Sequence, residues 1–206
     1  MLRLREKLRQ TEEEKLQSEL SYLKAQVNPH FLFNTLNSIY ALAIEKSDDT
    51  ATAVVKLSGM MRYVLSDAVN DFVPLEKEIS YLQDFVELQE LRFGSDIPVR
   101  FTVNGVAAGK RIAPLILITF VENAFKYGVN AEAEMLIDIE INIENNMLRM
   151  KVYNKKVKIQ QQTENSNRLG IQNTKNRLAL LYPGKHDLII NETEKDYTVL
   201  LTLTLL

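Results

Sequence analysis

The sequence predicts an α+β chain: a helical hairpin first, then helices packed on a mostly antiparallel sheet. Three observations carry this. Apolar residues recur at helical spacing through an opening stretch whose first 58 residues hold no glycine. From Ile97 onward, short segments alternate apolar and polar, as half-buried strands do. Asn104-Gly105, Asn145-Asn146 and Pro183-Gly184 punctuate that second part with turn chemistry. With 206 residues, 46% hydrophobic and 25% charged, the chain can bury a core in each part.

Taken in order, Leu16, Leu20, Leu23 and Val27 form a heptad-like seam, suited to a second helix or a twin chain. Ser47-Asp48-Asp49-Thr50 breaks the helix and offers N-cap residues for the next, which runs through Val54, Leu57, Met61, Val64 and Leu65. Asn70–Pro74 marks a boundary, so residues 1–72 are expected to form one domain and 73–206 another. A helix after Pro74 carries Leu75, Ile79, Leu82, Phe85, Val86 and Leu88 and stops near Gly94. Ile97–Val103 reads as a strand, and Leu115–Tyr127 as a buried helix introduced by Pro114. Leu136–Ile143 and Leu148–Tyr153 read as a strand pair joined at Asn145-Asn146. Residues 155–168 are polar and read as a long loop, followed by a helix over Gly170–Leu181. Strands at His186–Ile190 and Tyr197–Leu206 complete the pattern.

Composition excludes several classes. The chain has no cysteine, so disulfides, thiolate nucleophiles and cysteine metal sites are out. Two histidines, His30 and His186, are too few for a histidine-rich metal centre. His186, after Pro183-Gly184 at a strand start, reads as structural or solvent-exposed, with no catalytic role. A net charge of −2 gives no general drive toward nucleic acid. No stretch approaches the roughly 18 apolar residues of a membrane helix, and charges interrupt the start where a secretory signal would be apolar.

The first chemical cluster is Val27-Asn28-Pro29-His30-Phe31-Leu32-Phe33-Asn34-Thr35-Leu36-Asn37. A proline within a helical pattern costs about 3 kcal/mol and bends the helix beside His30. Continuing the seam lands on His30, Asn34 and Asn37. In phase they would be buried and need partners; if Pro29 shifts the phase, His30 faces solvent or another domain. The bland reading is a core histidine hydrogen-bonded to Asn34. The string LKAQVNPHFLFNTLNS, residues 23–38, resembles the H-box of LytS-type sensor histidine kinases. That resemblance implies that His30 is the phosphoacceptor and that Asn34 orients water for phosphatase action. Phe31 stands where commoner histidine kinases carry an acidic base.

The second cluster is Pro114–Val129. Glu122, Asn123 and Lys126 lie within one helical turn and share a face. A carboxylate, an amide oxygen and an ammonium together suit magnesium and phosphate, though alone they would read as a solvated face with an ion pair. The segment resembles the N-box of the GHKL ATPases, so the second domain is expected to be a GHKL, or Bergerat-type, sandwich. The resemblance makes Asn123 the magnesium ligand, Glu122 the catalytic polar residue and Lys126 a phosphate contact. Tyr127 stands where LytS-type kinases often have histidine, and it keeps a donor.

Weaker resemblances follow. Asn154 takes the place of the aspartate that meets the adenine amino group, and its amide oxygen can still accept. The glycines expected after it are absent. In Arg168-Leu169-Gly170 only Gly170 of the phosphate-side pair remains, while Arg168 could supply charge to the triphosphate. Asn173–Leu181 resembles the helix after that motif, including Arg177, and is equally an amphipathic cover helix. Thr198 matches the last-strand threonine near adenine, with Tyr197 where a glycine is usual.

Together these resemblances cover residues 16–206. They imply an ATP- and Mg2+-dependent histidine kinase acting on His30, a homodimer through a four-helix bundle, and a response regulator of the LytTR type as partner. They also imply the cytoplasmic portion of a bacterial inner-membrane protein, membrane helices lying before Met1. The alternatives are a dimeric interaction module with a degenerate nucleotide site, and a hydrolase that does not phosphorylate itself.

Overall fold

The computed structural model describes residues 29–93, 98–129, 136–156 and 164–206, with side chains from His30 and, in the last helix, from Gly170. The seam Leu16–Val27 and Arg168's side chain lie outside them. The chain divides into two compact units, residues 1–51 and 52–206.

In the first unit, helix α1 spans Pro29–Ile44. The chain turns at Lys46, whose φ is +55°. Ser47 then supplies the cap foreseen: its Oγ accepts from Asp49 N–H, and its carbonyl accepts from the Thr50 hydroxyl. Helix α2, Asp49–Arg62, starts there.

In the second unit, α2 continues into a wider π-helical turn over Tyr63–Asp67. Ala53, Leu57, Met60, Tyr63, Val64 and Ala68 are its buried face. Strand β1 (Val73–Pro74) leads into α3 (Leu75–Phe93). Lys56 ties α2 to α3 through Asp84 and Glu87, at 3.2 and 2.5 Å. Next come β2 (Val99–Gly105), β3 (Arg111–Ile112) and α4 (Ile118–Gly128). Strands β4 (Ile137–Glu144) and β5 (Met147–Lys155) form a hairpin whose turn residue Asn145 has φ +52°. Helix α5 (Glu164–Leu181) and strands β6 (His186–Glu192) and β7 (Asp196–Thr204) follow.

The main sheet has the order β2-β4-β5-β7-β6. Only β2–β4 is parallel; the other pairs are antiparallel, as expected of a mostly antiparallel sheet. Ile137, Ile139, Ile141 and Ile143 of β4, Leu148, Met150 and Val152 of β5, and Val199, Leu201 and Leu203 of β7 are buried. Helix α4 lies on β4 and β5, and α5 packs on α4. Each such fully buried aliphatic side chain contributes about 1.5–3 kcal/mol.

Two helix starts differ from expectation. Helix α4 begins at Ile118 rather than Leu115, because Leu115 is left-handed, with φ +56°, and the amides of Leu115 and Leu117 are held by a distant carboxylate described below. Helix α5 begins at Glu164, inside the segment expected to be loop up to 168.

Candidate functional site

Helix α1 presents His30 to solvent, and Asn34, one turn on, places its Nδ2 3.1 and 3.2 Å from the two ring nitrogens. The Asn34 contact of the bland reading is therefore present, but the burial is not. Asn37 is exposed too. Beside them Phe33 (66% exposed), Tyr40 (68%) and Ile44 (66%) put large apolar side chains on the surface of α1.

In the other unit, α4 brings together Glu122, Asn123, Lys126 and Tyr127. Asn123 is buried at 8% exposure, whereas its three neighbours are half-buried. Burial holds the Lys126 ammonium below the usual lysine range, with Glu122 pulling the other way. Its Nζ lies 5.6 Å from the Tyr127 ring centre.

The C-terminal end of α4 comes very close to β5. A Cβ on Gly128 would lie 2.9 Å from Asn154 Cβ and 3.3 Å from Ile137 Cγ1, so only glycine allows this approach. It sets Asn154 against the helix that carries Asn123 and Lys126. Asn154 is fully buried; its Nδ2 donates to the Lys155 carbonyl at 3.0 Å, and its Oδ1 has no partner. A buried acceptor without a partner costs about 1–3 kcal/mol, so the site suits a ligand that brings a donor.

Three residues carried over by resemblance sit differently. Gly170 lies within α5, where an added Cβ would meet nothing, so it is not the tight positive-φ turn of a phosphate cradle. Arg177 donates through Nη2 to the Pro114 carbonyl at 2.8 Å, bracing the segment before α4. Thr198 pairs with Tyr153, and Tyr153 donates to Asp196 Oδ1 at 2.6 Å on that face of the sheet. Since side chains alternate, Thr198 faces away from Asn154; the residue opposite Asn154 is Tyr197.

Sequence reasoning missed Glu78. It sits in the apolar stripe of α3 between Leu75 and Leu82 and is 0% exposed. Its Oε2 accepts from the Tyr63 hydroxyl and from Leu115 N–H (3.0 Å), and its Oε1 from Leu117 N–H (3.4 Å). Burial pushes this carboxyl above the usual range, opposed first by the Tyr63 hydroxyl and then by the two amides. Tyr182 Oη accepts from Ala113 N–H at 2.7 Å. The whole segment 113–117 that launches α4 is thus pinned by Glu78 of α3, by Arg177 of α5 and by Tyr182 just after it. A glutamate within an apolar stripe at helical spacing was the available signal.

The fold and site define a class: an α+β chain with an exposed histidine on one helix and a carboxylate–amide–ammonium face on another. Residues 18–97 match the family model described as histidine kinase. The chain resembles, more particularly, the LytS sensor proteins. It is 26% identical over 190 residues to sensor protein LytS of Enterococcus faecalis, covering 86% of this chain and 32% of that protein. It is 34% identical over 127 residues to LytS of Oceanobacillus iheyensis, covering 62% of this chain and 22% of that protein. The chain spans about a third or less of the curated relatives it matches. Among solved structures, the histidine kinase domain from the blue-light activated histidine kinase of Erythrobacter litoralis superimposes with a TM-score of 0.47 at 15% identity, covering 93% of each chain. Full-length ShkA in complex with AMPPNP gives 0.48 at 16% identity, over 81% of this chain and 38% of that one.

Proposed function

We propose that this chain is the kinase core of a LytS-type sensor histidine kinase, which transfers the γ-phosphoryl group of ATP to His30 and then to an aspartate of a response regulator. The observation that carries this reading is the unpartnered, fully buried Asn154 Oδ1 beside the end of α4, the helix bearing Glu122, Asn123 and Lys126. Those residues fit a magnesium nucleotide. Asn154 offers an acceptor to the exocyclic amine of adenine, Asn123 an oxygen to the metal, and Lys126 a positive charge to phosphate. Magnesium, when bound, neutralises charge on the triphosphate.

In the transfer, a ring nitrogen of His30 uses its lone pair to form a nitrogen–phosphorus bond. The bond from that phosphorus to the bridging oxygen breaks, and its electrons leave on ADP. Asn34 holds the imidazole from one turn away and, in the reverse role, would orient water against the phosphorylated ring. Glu122 is the catalytic carboxylate. Tyr127 flanks the nucleotide, while Arg177 braces the segment before α4 through the Pro114 carbonyl.

The exposed apolar residues of α1 support a homodimer formed through a hairpin domain, residues 1–72, with residues 73–206 as the ATP-binding domain. A response regulator of the LytTR type, and a position on the cytoplasmic side of a bacterial inner membrane, follow from the LytS resemblance. No described helix is itself long and apolar enough to cross a membrane.

Incubation with γ-labelled ATP and magnesium tests this. The wild type should acquire an acid-labile, base-stable label that His30→Gln and Asn123→Ala both lose; label persisting on His30→Gln defeats the assignment. The helical, open setting of Gly170 favours a second reading, an interaction module with a degenerate nucleotide site. That reading predicts no binding of ATP even at millimolar concentration.

A further inference from the structure

Two buried polar atoms on neighbouring strands have no partner: Asn154 Oδ1 on β5 and the Tyr197 hydroxyl on β7. The two residues are direct cross-strand partners. They share the helix-covered face with the pairs Val152–Val199 and Met150–Leu201, all four buried. A buried tyrosine hydroxyl ordinarily finds a hydrogen bond, so two orphans on residues that face each other across the strands, one an acceptor and one a donor, are a pattern.

We propose that Tyr197 is a base-reading residue: its hydroxyl donates to the N1 ring nitrogen of adenine while Asn154 Oδ1 accepts from the adjacent exocyclic amine. This rests on the nucleotide reading above and adds the residue that sets base choice. The polarity of each group is fixed by its surroundings. Asn154 spends its Nδ2 on the Lys155 carbonyl, which leaves the oxygen, not the amine, for a ligand. Burial, with Glu192 and Tyr127 adding to it, pushes the Tyr197 phenol up to about 12, so it keeps its proton to donate at neutral pH. An acceptor beside a donor matches adenine, whose amine and N1 present donor and acceptor along one edge. Guanine presents a carbonyl oxygen and an N1–H there, so two acceptors would face each other at Asn154 and both would go unanswered.

Calorimetric titration of wild type and Tyr197→Phe with ATP, 1-deaza-ATP and GTP, each with magnesium, tests the assignment. Tyr197→Phe should bind ATP about five- to tenfold more weakly, the worth of one hydrogen bond. 1-Deaza-ATP, which lacks the ring nitrogen, should bind wild type with a similar loss and should lose nothing further on Tyr197→Phe. GTP should bind wild type more weakly than ATP, and Tyr197→Phe should narrow that gap. A merely structural tyrosine would weaken all three nucleotides alike, and that result overturns the proposal. Equal ATP affinity for wild type and variant overturns it too, while leaving the nucleotide site standing. Failure of the folded wild type to bind ATP removes both.

Discussion

Two buried polar regions lie at opposite ends of α4, and they differ in one respect. At its start, every polar atom of the pinning network is answered: Glu78 by Tyr63, Leu115 and Leu117, Tyr182 by Ala113, and Arg177 by Pro114. At its end, Asn154 and Tyr197 each keep a buried atom with nothing to meet. A satisfied network holds a loop in one shape; an unsatisfied pair carries a cost that a ligand with matching groups would remove. The first region therefore braces the start of the helix, and the second is where the proposed nucleotide contacts fall.

The contrast breaks most visibly at Glu78. Glu78→Ala strands the Tyr63 hydroxyl and two backbone amides in the interior, and should destabilise the fold by about 3 kcal/mol or more, read as a drop in the urea midpoint. The same carboxyl gives a pH signature. Its folded pKa lies above its unfolded value, so the native state holds the proton to higher pH. The stabilisation is complete below the ordinary glutamate value of about 4.3 and declines as pH rises through the folded pKa. Glu78→Gln should flatten that decline; an unchanged slope would mean that another group sets it.

Smaller effects are expected at the other end. Gly128→Ala must push Asn154 or Ile137 aside and should cost about 1–2 kcal/mol, with weaker ATP binding in proportion to how far Asn154 moves. Asn154→Leu should change stability by less than about 1 kcal/mol, because it removes an unpaired atom along with one hydrogen bond. It should nevertheless abolish the rise in melting temperature on adding Mg·ATP. A large stability loss with ligand response intact would reverse the roles assigned to the two regions.

Much of this was legible in the sequence, and what escaped has a common cause. Alternation gave β4 and β5, since one buried face imposes a period of two. Ser47–Thr50 gave the α1–α2 junction because capping is local. The boundary at Leu115 was not local: Leu115 turns left-handed, and its amide and that of Leu117 are held by Glu78, 37 residues earlier in the chain. Thr198 and its neighbour Tyr197 are one residue apart, and a strand puts such neighbours on opposite faces of the sheet, with Tyr197 opposite Asn154. Glu122, Asn123 and Lys126 stood out together because a single helical turn groups them, whereas Tyr197 meets Asn154 only through sheet register.

The sheet order has a consequence for synthesis. Strand β7 is made after the other four strands of this sheet, yet it lies between β5 and β6 rather than at an edge. While the chain emerges from the ribosome, β5 must keep an open row of backbone amides and carbonyls, and β6 has no neighbour to pair with. The nascent sheet thus carries an adhesive flank until β7 slides into the middle, which is the interval when a chaperone would protect it and crowding would endanger it.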